Sequence, residues 1–514
     1  MKMKMNDAYS GFSIDFSRMN INGSALNDMQ GMFAAAMREM AALEAGAIKN
    51  PDENRKVTHF TDRAVYRTSE LFCEVEEFAA AVRNGDITGG TGKRFDAVVV
   101  NGIGGSALGP QLLQFALNGP YWNEKSREQR NNGLKVYFLD NTDPAGLKDL
   151  LEVIDLESTL QLCVSKSGGT RETLNNLTAL MNIYKKHNLN YGDYACAVTM
   201  PGSILDKQAK DCSFIKVFPM AESIGGRTSE TSIVGHVPAA MAGIDFRSFL
   251  DGACRMDEWT RNGDVQNNPA LMLAAMWYIA GNGKGDRNMV IVPYADRLVL
   301  LARYLQQLVM ESLGKELDLD GKIVHQGLNV FGNKGGTDAH AFIQQLNDGR
   351  DDFFATFIEV LHDADNVPLE DNCNMGDYLH GFLYGLAAAL SAKKRPVITM
   401  EISAMSPENL GLLIALYERA VAIYAEFIHI NAFHQPGVQA YKLAAKGMLD
   451  VREKLFAALP ENACGSASEL AETAGLDMPD AVAGWLNRAA ANPESYNVER
   501  KYSAEKEEYI YTVK

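Results

Sequence analysis

The sequence has no block of lysines and arginines that offsets its acidic residues, no C-x-x-C pair and no H-E-x-x-H. Forty-nine basic against 65 acidic residues leave a formal charge of −16 spread over 514 positions. Phosphate backbones bind clustered basic faces, so this balance argues against a nucleic-acid partner. A small anion is still allowed, because it needs only a few local cations. The seven cysteines (Cys73, Cys163, Cys196, Cys212, Cys254, Cys373, Cys464) are odd in number and far apart. That is the usage of a reducing compartment, not of a disulfide framework. No apolar run reaches the roughly 20 residues of a membrane span. Residues 1–15 include lysines but no apolar h-region, so neither a membrane anchor nor a secretory signal is expected. The expected location is cytoplasmic. The nine histidines show no ligand spacing with one another or with cysteine, and no metal is expected.

What is present is an ordinary globular balance, 46% hydrophobic and 22% charged, in a chain long enough for two domains. Residues 1–84 mix polar and apolar positions at helical spacing, as in 29–45. From residue 95 short apolar runs alternate with 3.6-period segments: 97–100, 136–139, 160–164, 195–199 and 215–218, with a helical stretch at 170–187. Continuous apolar runs read as strands covered on both faces, as a parallel sheet requires. After the Gly-rich stretch 281–286, a second set follows at 289–293, 354–360 and 397–402, with helices at 296–313, 338–346 and 408–429. The expected fold is α/β, with two doubly wound parallel-sheet domains at 85–245 and 285–430. A helical extension at 1–84 and a helical segment at 431–514 flank them.

Six segments carry candidate chemistry. Val-Val-Val-Asn-Gly-Ile-Gly-Gly-Ser-Ala-Leu-Gly (98–109) runs from a buried strand through a glycine turn into a helix. Gly102, Gly104, Gly105 and Ser106 could wall an anion with backbone N–H groups at a helix start, or the glycines could merely relieve a tight turn. Val-Ser-Lys-Ser-Gly-Gly-Thr-Arg-Glu-Thr (164–173) crowds Ser165, Lys166, Ser167 and Thr170 at a second strand-to-helix turn. Those donors suit a terminal phosphate dianion; the competing reading is Thr170 as a helix cap. Neither a Walker loop nor dinucleotide spacing occurs, so a sugar monophosphate fits better than a nucleotide.

In Gly-Gly-Arg-Thr-Ser-Glu (225–230), Arg227 could meet an oxyanion or pair with a nearby acid. Gln307 and Glu311 lie four apart in Tyr-Leu-Gln-Gln-Leu-Val-Met-Glu-Ser-Leu-Gly-Lys (304–315), hence on one helical face. Beside Leu308, Val309 and Met310 the Glu311 carboxylate is expected to be partly desolvated. Gly-Gly-Thr-Asp-Ala-His340 and Phe433-His-Gln435-Pro-Gly-Val-Gln-Ala-Tyr-Lys442 each set polar groups near a helix start.

In this order the segments resemble the glucose-6-phosphate isomerase family, which is built from two sugar-isomerase domains; the likeness runs from about residue 95 to 442. The resemblance implies reversible isomerisation of glucose 6-phosphate and fructose 6-phosphate, a step of glycolysis and gluconeogenesis, without a cofactor. It implies that Ser165, Lys166, Ser167 and Thr170 bind the sugar phosphate and that Gly105 and Ser106 line the pocket. Gln307 and Gln435 would hold phosphate or sugar hydroxyls. Glu311 matches the family's base, and Arg227 the residue that stabilises the charged intermediate. His340 and Lys442 match the groups that open the ring. A homodimer is implied, with His340 acting across the interface. Thr228, His434 and Leu313 stand where the family more often carries other residues. A bifunctional glucose/mannose phosphate isomerase and a non-catalytic sugar-phosphate-binding regulator are the alternatives.

Overall fold

The segment Ala97–Asn101 has no polar alternation, so it must be covered on both sides, and all five of its residues are buried. The computed structural model of the chain describes residues 2–21, 23–370 and 372–514. In it this strand, β1, is central to a five-stranded sheet with β2 (Lys135–Leu139), β3 (Thr159–Val164), β4 (Ala195–Thr199) and β5 (Lys216–Pro219). The order is β2-β1-β3-β4-β5, and every pair is parallel. The order reverses between β1 and β3, and in open α/β sheets a crevice opens at the carboxyl ends of the strands at such a point. Gly102 follows β1 there, and Ser165 follows β3.

A second sheet contains β6 (Asn288–Tyr294), β7 (Val330–Phe331), β8 (Phe353–Val360) and β9 (Val397–Ile402), in the order β9-β8-β6-β7, all parallel. Two N-terminal strands, Ser13–Asp15 and Lys4–Asn6, extend it antiparallel beyond β9. The chain start was read as helical; three-residue strands are too short for a period of two to declare itself.

The helices Pro269–Ala280 and Pro407–Phe427 are almost wholly buried. Asn268 and Ser406 cap them, each followed by proline in the first turn. The helix Phe246–Thr260 meets Pro407–Phe427 at reciprocal glycines. A Cβ on Gly252 would stand 1.9 Å from the Glu408 carbonyl oxygen, and one on Gly411 1.9 Å from that of Phe249.

Gln435–Lys514 forms a separate unit. Its helices Pro436–Ala458, Ala467–Thr473 and Pro479–Ala490 share a core of Leu455, Leu470, Val482 and Leu486 with a three-stranded antiparallel sheet. The sheet was not expected, because its long strands, Val498–Ser503 and Glu508–Val513, carry charged and exposed residues that hide their strand character. Among the described residues no helix is long and apolar enough to cross a membrane.

Candidate active site

The turn after β1 is built for close backbone approach. Gly104 has φ +59°, and a Cβ there would lie 3.0 Å from the Gln307 side-chain nitrogen. A Cβ on Gly105 would stand 1.7 Å from the Gly226 carbonyl oxygen, so this turn and the Gly226–Thr228 turn touch through their main chains. The Ser229 hydroxyl lies 3.1 Å from the Gly105 carbonyl oxygen and 2.8 Å from that of Gly226. Ser106 closes the short 3-10 turn Gly104–Ser106. Arg227 therefore stands directly beside the glycine turn.

Its guanidinium is almost buried. Nε lies 3.0 Å from Glu311 Oε2, Nη1 donates to Ser312 Oγ at 3.0 Å and to the Ala432 carbonyl, and Nη2 donates to the His434 carbonyl at 2.9 Å. Burial pushes its pKa down while Glu311 pulls it up; guanidinium stays charged across the working range. The acid that could pair with Arg227 is thus the one placed as a candidate base.

The helix expected over 296–313 is broken in three. It comprises a 3-10 turn at Asp296–Leu298, a short helix at Leu301–Leu305 and a π-helical turn at Gln306–Glu311. Such turns concentrate at functional sites. Within it Leu308 and Val309 are buried, while Gln307 and Glu311 remain partly open and the Glu311 side chain is 28% exposed. Partial desolvation of that carboxylate is what the structure has. Lys315, buried, donates from Nζ to the Glu311 carbonyl at 2.6 Å, capping one of the last carbonyls of the helix. Burial and then the charge of Arg227 push its ammonium down to about 7, against the pull of Glu311. In the sequence, the only mark of Lys315 is its spacing of four from Glu311.

The turn after β3 holds itself open by its own hydroxyls. Ser165 Oγ accepts from Gly168 N at 3.2 Å and Ser167 Oγ from Gly169 N at 3.1 Å. Thr170 occupies the N-cap of the helix Arg171–Lys186 but makes no side-chain cap bond there, so its hydroxyl remains uncommitted among the described residues. Lys166 reaches across to the loop before Arg227, donating to the carbonyls of Glu222 (2.5 Å) and Ile224 (3.0 Å). Burial, then the charge of Arg55, push its ammonium down to about 8. Arg55 itself donates to the carbonyls of Ser223 (3.0 Å) and Phe433 (3.3 Å). Nothing in its polar N-terminal stretch marked it in the sequence.

Gly105, Ser106, Arg227, Gln307 and Glu311 thus gather around one point, with Ser165, Lys166, Ser167 and Thr170 at the neighbouring strand end. His340 stands apart. It ends an exposed 3-10 turn, Asp338–His340, whose buried Asp338 accepts from Asn333 N (2.9 Å) and Nδ2 (3.2 Å). No hydrogen bond or ion pair joins its imidazole to Glu311 among the described residues. Gln435 and Lys442 belong to the C-terminal unit, at the N-cap and in the second turn of the helix Pro436–Ala458. Of the unusual positions, Leu313 is fully buried, and His434 pairs with Asp52 while its carbonyl receives Arg227.

A doubly wound α/β scaffold with two turns of this kind at its switch point defines a class of ligand-binding enzymes. The chain belongs to the phosphoglucose isomerase family, whose profile matches residues 15–458. It is 46% identical to the glucose-6-phosphate isomerase of Nostoc punctiforme over 497 residues, covering 94% of this chain and 92% of that one. Against the enzyme of the same name from Geobacter sulfurreducens it is 45% identical over 504 residues, covering 95% and 93%. The crystal structure of a glucose-6-phosphate isomerase from Chlamydia trachomatis superposes with a TM-score of 0.77 at 27% identity, covering 87% of this chain and 90% of that one.

Proposed function

We propose that the interconversion of glucose 6-phosphate and fructose 6-phosphate, which this chain catalyses, runs by proton transfer through an enediolate, with Glu311 as the base and Arg227 as the stabilising cation. The observation that carries the assignment of roles is the 3.0 Å approach of Arg227 Nε to Glu311 Oε2 beside the glycine turn. Aldose and ketose differ by one hydrogen moved between C1 and C2, so the reaction calls for no external oxidant or reductant. Glu311 takes the proton from one carbon and returns it to the other. Arg227, fixed by Ser312 and two carbonyls, stands where oxyanion charge develops, which is where a preorganised cation counts most.

Ser165, Lys166, Ser167 and Thr170 grip the phosphate, and Gly105 and Ser106 line the pocket. Gln307 and Gln435 hold phosphate or sugar hydroxyls; His340 and Lys442 open the ring. Of two sugar-isomerase domains, 85–245 supplies the two strand-end turns and 285–430 the turn that carries Gln307 and Glu311, and the enzyme works in the cytoplasm. The uncommitted Thr170 hydroxyl supports the phosphate assignment. In Ser167→Ala combined with Thr170→Ala, the KM for fructose 6-phosphate should rise tenfold or more, since each hydrogen bond to a charged group is worth about 1.5–3 kcal/mol. Its kcat should change little. Unaltered inhibition by non-reacting sugar phosphates would place the phosphate elsewhere, and mannose 6-phosphate among the chromatographed products would favour the bifunctional alternative.

The active form is a homodimer in which the partner subunit's His340 completes each site. Two features support this: His340 is exposed and unpartnered among the described residues, and the helix Met375–Ala392 presents Met375, Tyr378, Phe382 and Tyr384 to solvent. His340→Ala and Glu311→Gln homodimers should each be nearly inactive. Co-refolded in equal amounts, they should regain about a quarter of full activity, because about half the pairs are mixed and one site in each is intact. No recovery would show that His340 acts within its own chain, and a fully active His340→Ala homodimer that it does not act at all.

A further inference from the structure

Behind Arg227 the same segment carries a carboxyl that the isomerisation does not use. Glu230 is 1% exposed. It is pressed against the helix Leu108–Asn118, which follows the glycine turn: a Cβ on Gly109 would lie 2.4 Å from Glu230 Cβ. Tyr304, two residues before the π-helical turn, donates its hydroxyl to Glu230 Oε1 at 2.5 Å. On the other side Glu230 is hydrogen-bonded to Glu418 of the helix Pro407–Phe427. Glu418 Oε2 takes Arg63 Nη1 at 2.7 Å, whereas its Oε1 receives no N–H or alcohol donor among the described residues.

The cations around this pair are already engaged. Arg63 Nε lies 2.6 Å from Asp257, Arg419 Nη2 lies 2.9 Å from Asp257 and 2.7 Å from Glu44, and Arg261 Nε lies 2.7 Å from Glu44. Three guanidinium groups (Arg63, Arg419, Arg261) balance three carboxylates (Glu418, Asp257, Glu44). A fourth negative charge on Glu230 would be buried without a cation. Two buried carboxyls in hydrogen-bond contact must share a proton. Arg63 contacts Glu418 and not Glu230, so the proton belongs on Glu230, whose other partners among the described residues are the Tyr304 phenol and its own main-chain N–H.

We propose that Glu230 is a protonated, buried carboxylic acid at neutral pH and a positioning residue. It clamps the Arg227 turn, the helix after the glycine turn and the helix leading to Glu311 into one block. Its O–H donates to Glu418 Oε1 and its carbonyl oxygen accepts from Tyr304. Burial, and then the charge of Glu418, hold its pKa well above the ordinary carboxyl range. The positioning role rests on Glu311 and Arg227 being the reacting pair; the protonation does not.

Glu230→Gln keeps both hydrogen bonds, so its kcat and KM should stay within about twofold of wild type. Glu230→Ala should lose about ten- to a hundredfold in kcat with KM within about threefold, as expected of a misplaced reacting pair. If the alanine variant does not fold, Tyr304→Phe cuts the same clamp and should lower kcat in the same sense. Infrared difference spectra should show a carboxylic-acid carbonyl band in wild type that is missing from Glu230→Gln. Above the ordinary carboxyl range the unfolded chain loses this proton and the folded chain keeps it. Wild-type stability should therefore fall with rising pH along a slope that Glu230→Gln lacks. Absence of the acid band, a glutamine variant as impaired as the alanine one, or a folded alanine variant with full kcat would overturn the proposal. Should Glu311→Gln retain turnover while the acid band persists, the reading of the reacting pair fails and the protonation stands.

Discussion

Glu311→Gln should lower kcat at least a hundredfold while changing the affinity for a non-reacting sugar phosphate by no more than about threefold. The size of the loss is that of a missing general base, about 10²–10⁴. Its selectivity follows from the geometry. The amide oxygen of glutamine can still accept from Arg227 Nε, so the 3.0 Å contact survives the change. Lys315 holds the main-chain carbonyl at 311, which the substitution leaves in place. The hydroxyls proposed for the phosphate lie on another turn, after β3. What is lost is the ability to carry a proton between two carbons. Steady-state kinetics with competitive inhibition by a non-isomerisable analogue separates the two effects, and near-normal turnover would remove Glu311 from the chemistry.

The strands were legible because parallel sheets impose a simple code. Residues 97–101 and 159–164 are covered whichever way they point, so they are apolar but for Asn101, Thr159 and Gln161, and in the structure they are buried throughout. The two site turns were legible for a related reason: glycines and hydroxyls directly after such strands fall at the carboxyl edge of the sheet, where the strand order reverses. The π-helical turn was not legible, because Gln306–Glu311 has the apolar spacing of an ordinary helix and only the surrounding packing selects the wider turn. Gln307 and Glu311 are both partly open in that turn, between buried Leu308 and Val309 and exposed Gln306 and Met310.

Arg55 and Glu230 show the other limit. Each acts through partners distant in sequence, at Ser223 and Phe433 for one and at Tyr304 and Glu418 for the other. A charged residue in a polar stretch looks solvated until the fold brings its partners to it. Thr170 is the converse case, since capping and ligand binding demand the same residue at the same place. Only the missing cap bond separates them.

Arg227→Lys should keep the charge and still lose about a hundred- to a thousandfold in kcat, the scale seen when a preorganised donor to an oxyanion is removed. The guanidinium simultaneously meets Glu311, Ser312 and the carbonyls of Ala432 and His434. An ammonium has three donors in a compact head and lacks the planar fork, so it cannot reach all four partners from one position. Whichever carbonyl it abandons is left buried and unpaired, at a cost of about 1–3 kcal/mol, so the thermal midpoint should also fall. KM should move much less than kcat, because the turn after β3 is untouched. If the lysine variant turned over at near the wild-type rate, a positive charge alone would suffice, and the fixed fork would be holding the two carbonyls rather than the enediolate. A large loss in kcat with a modest one in stability requires that the direction of those N–H groups, and not the charge they carry, lowers the barrier.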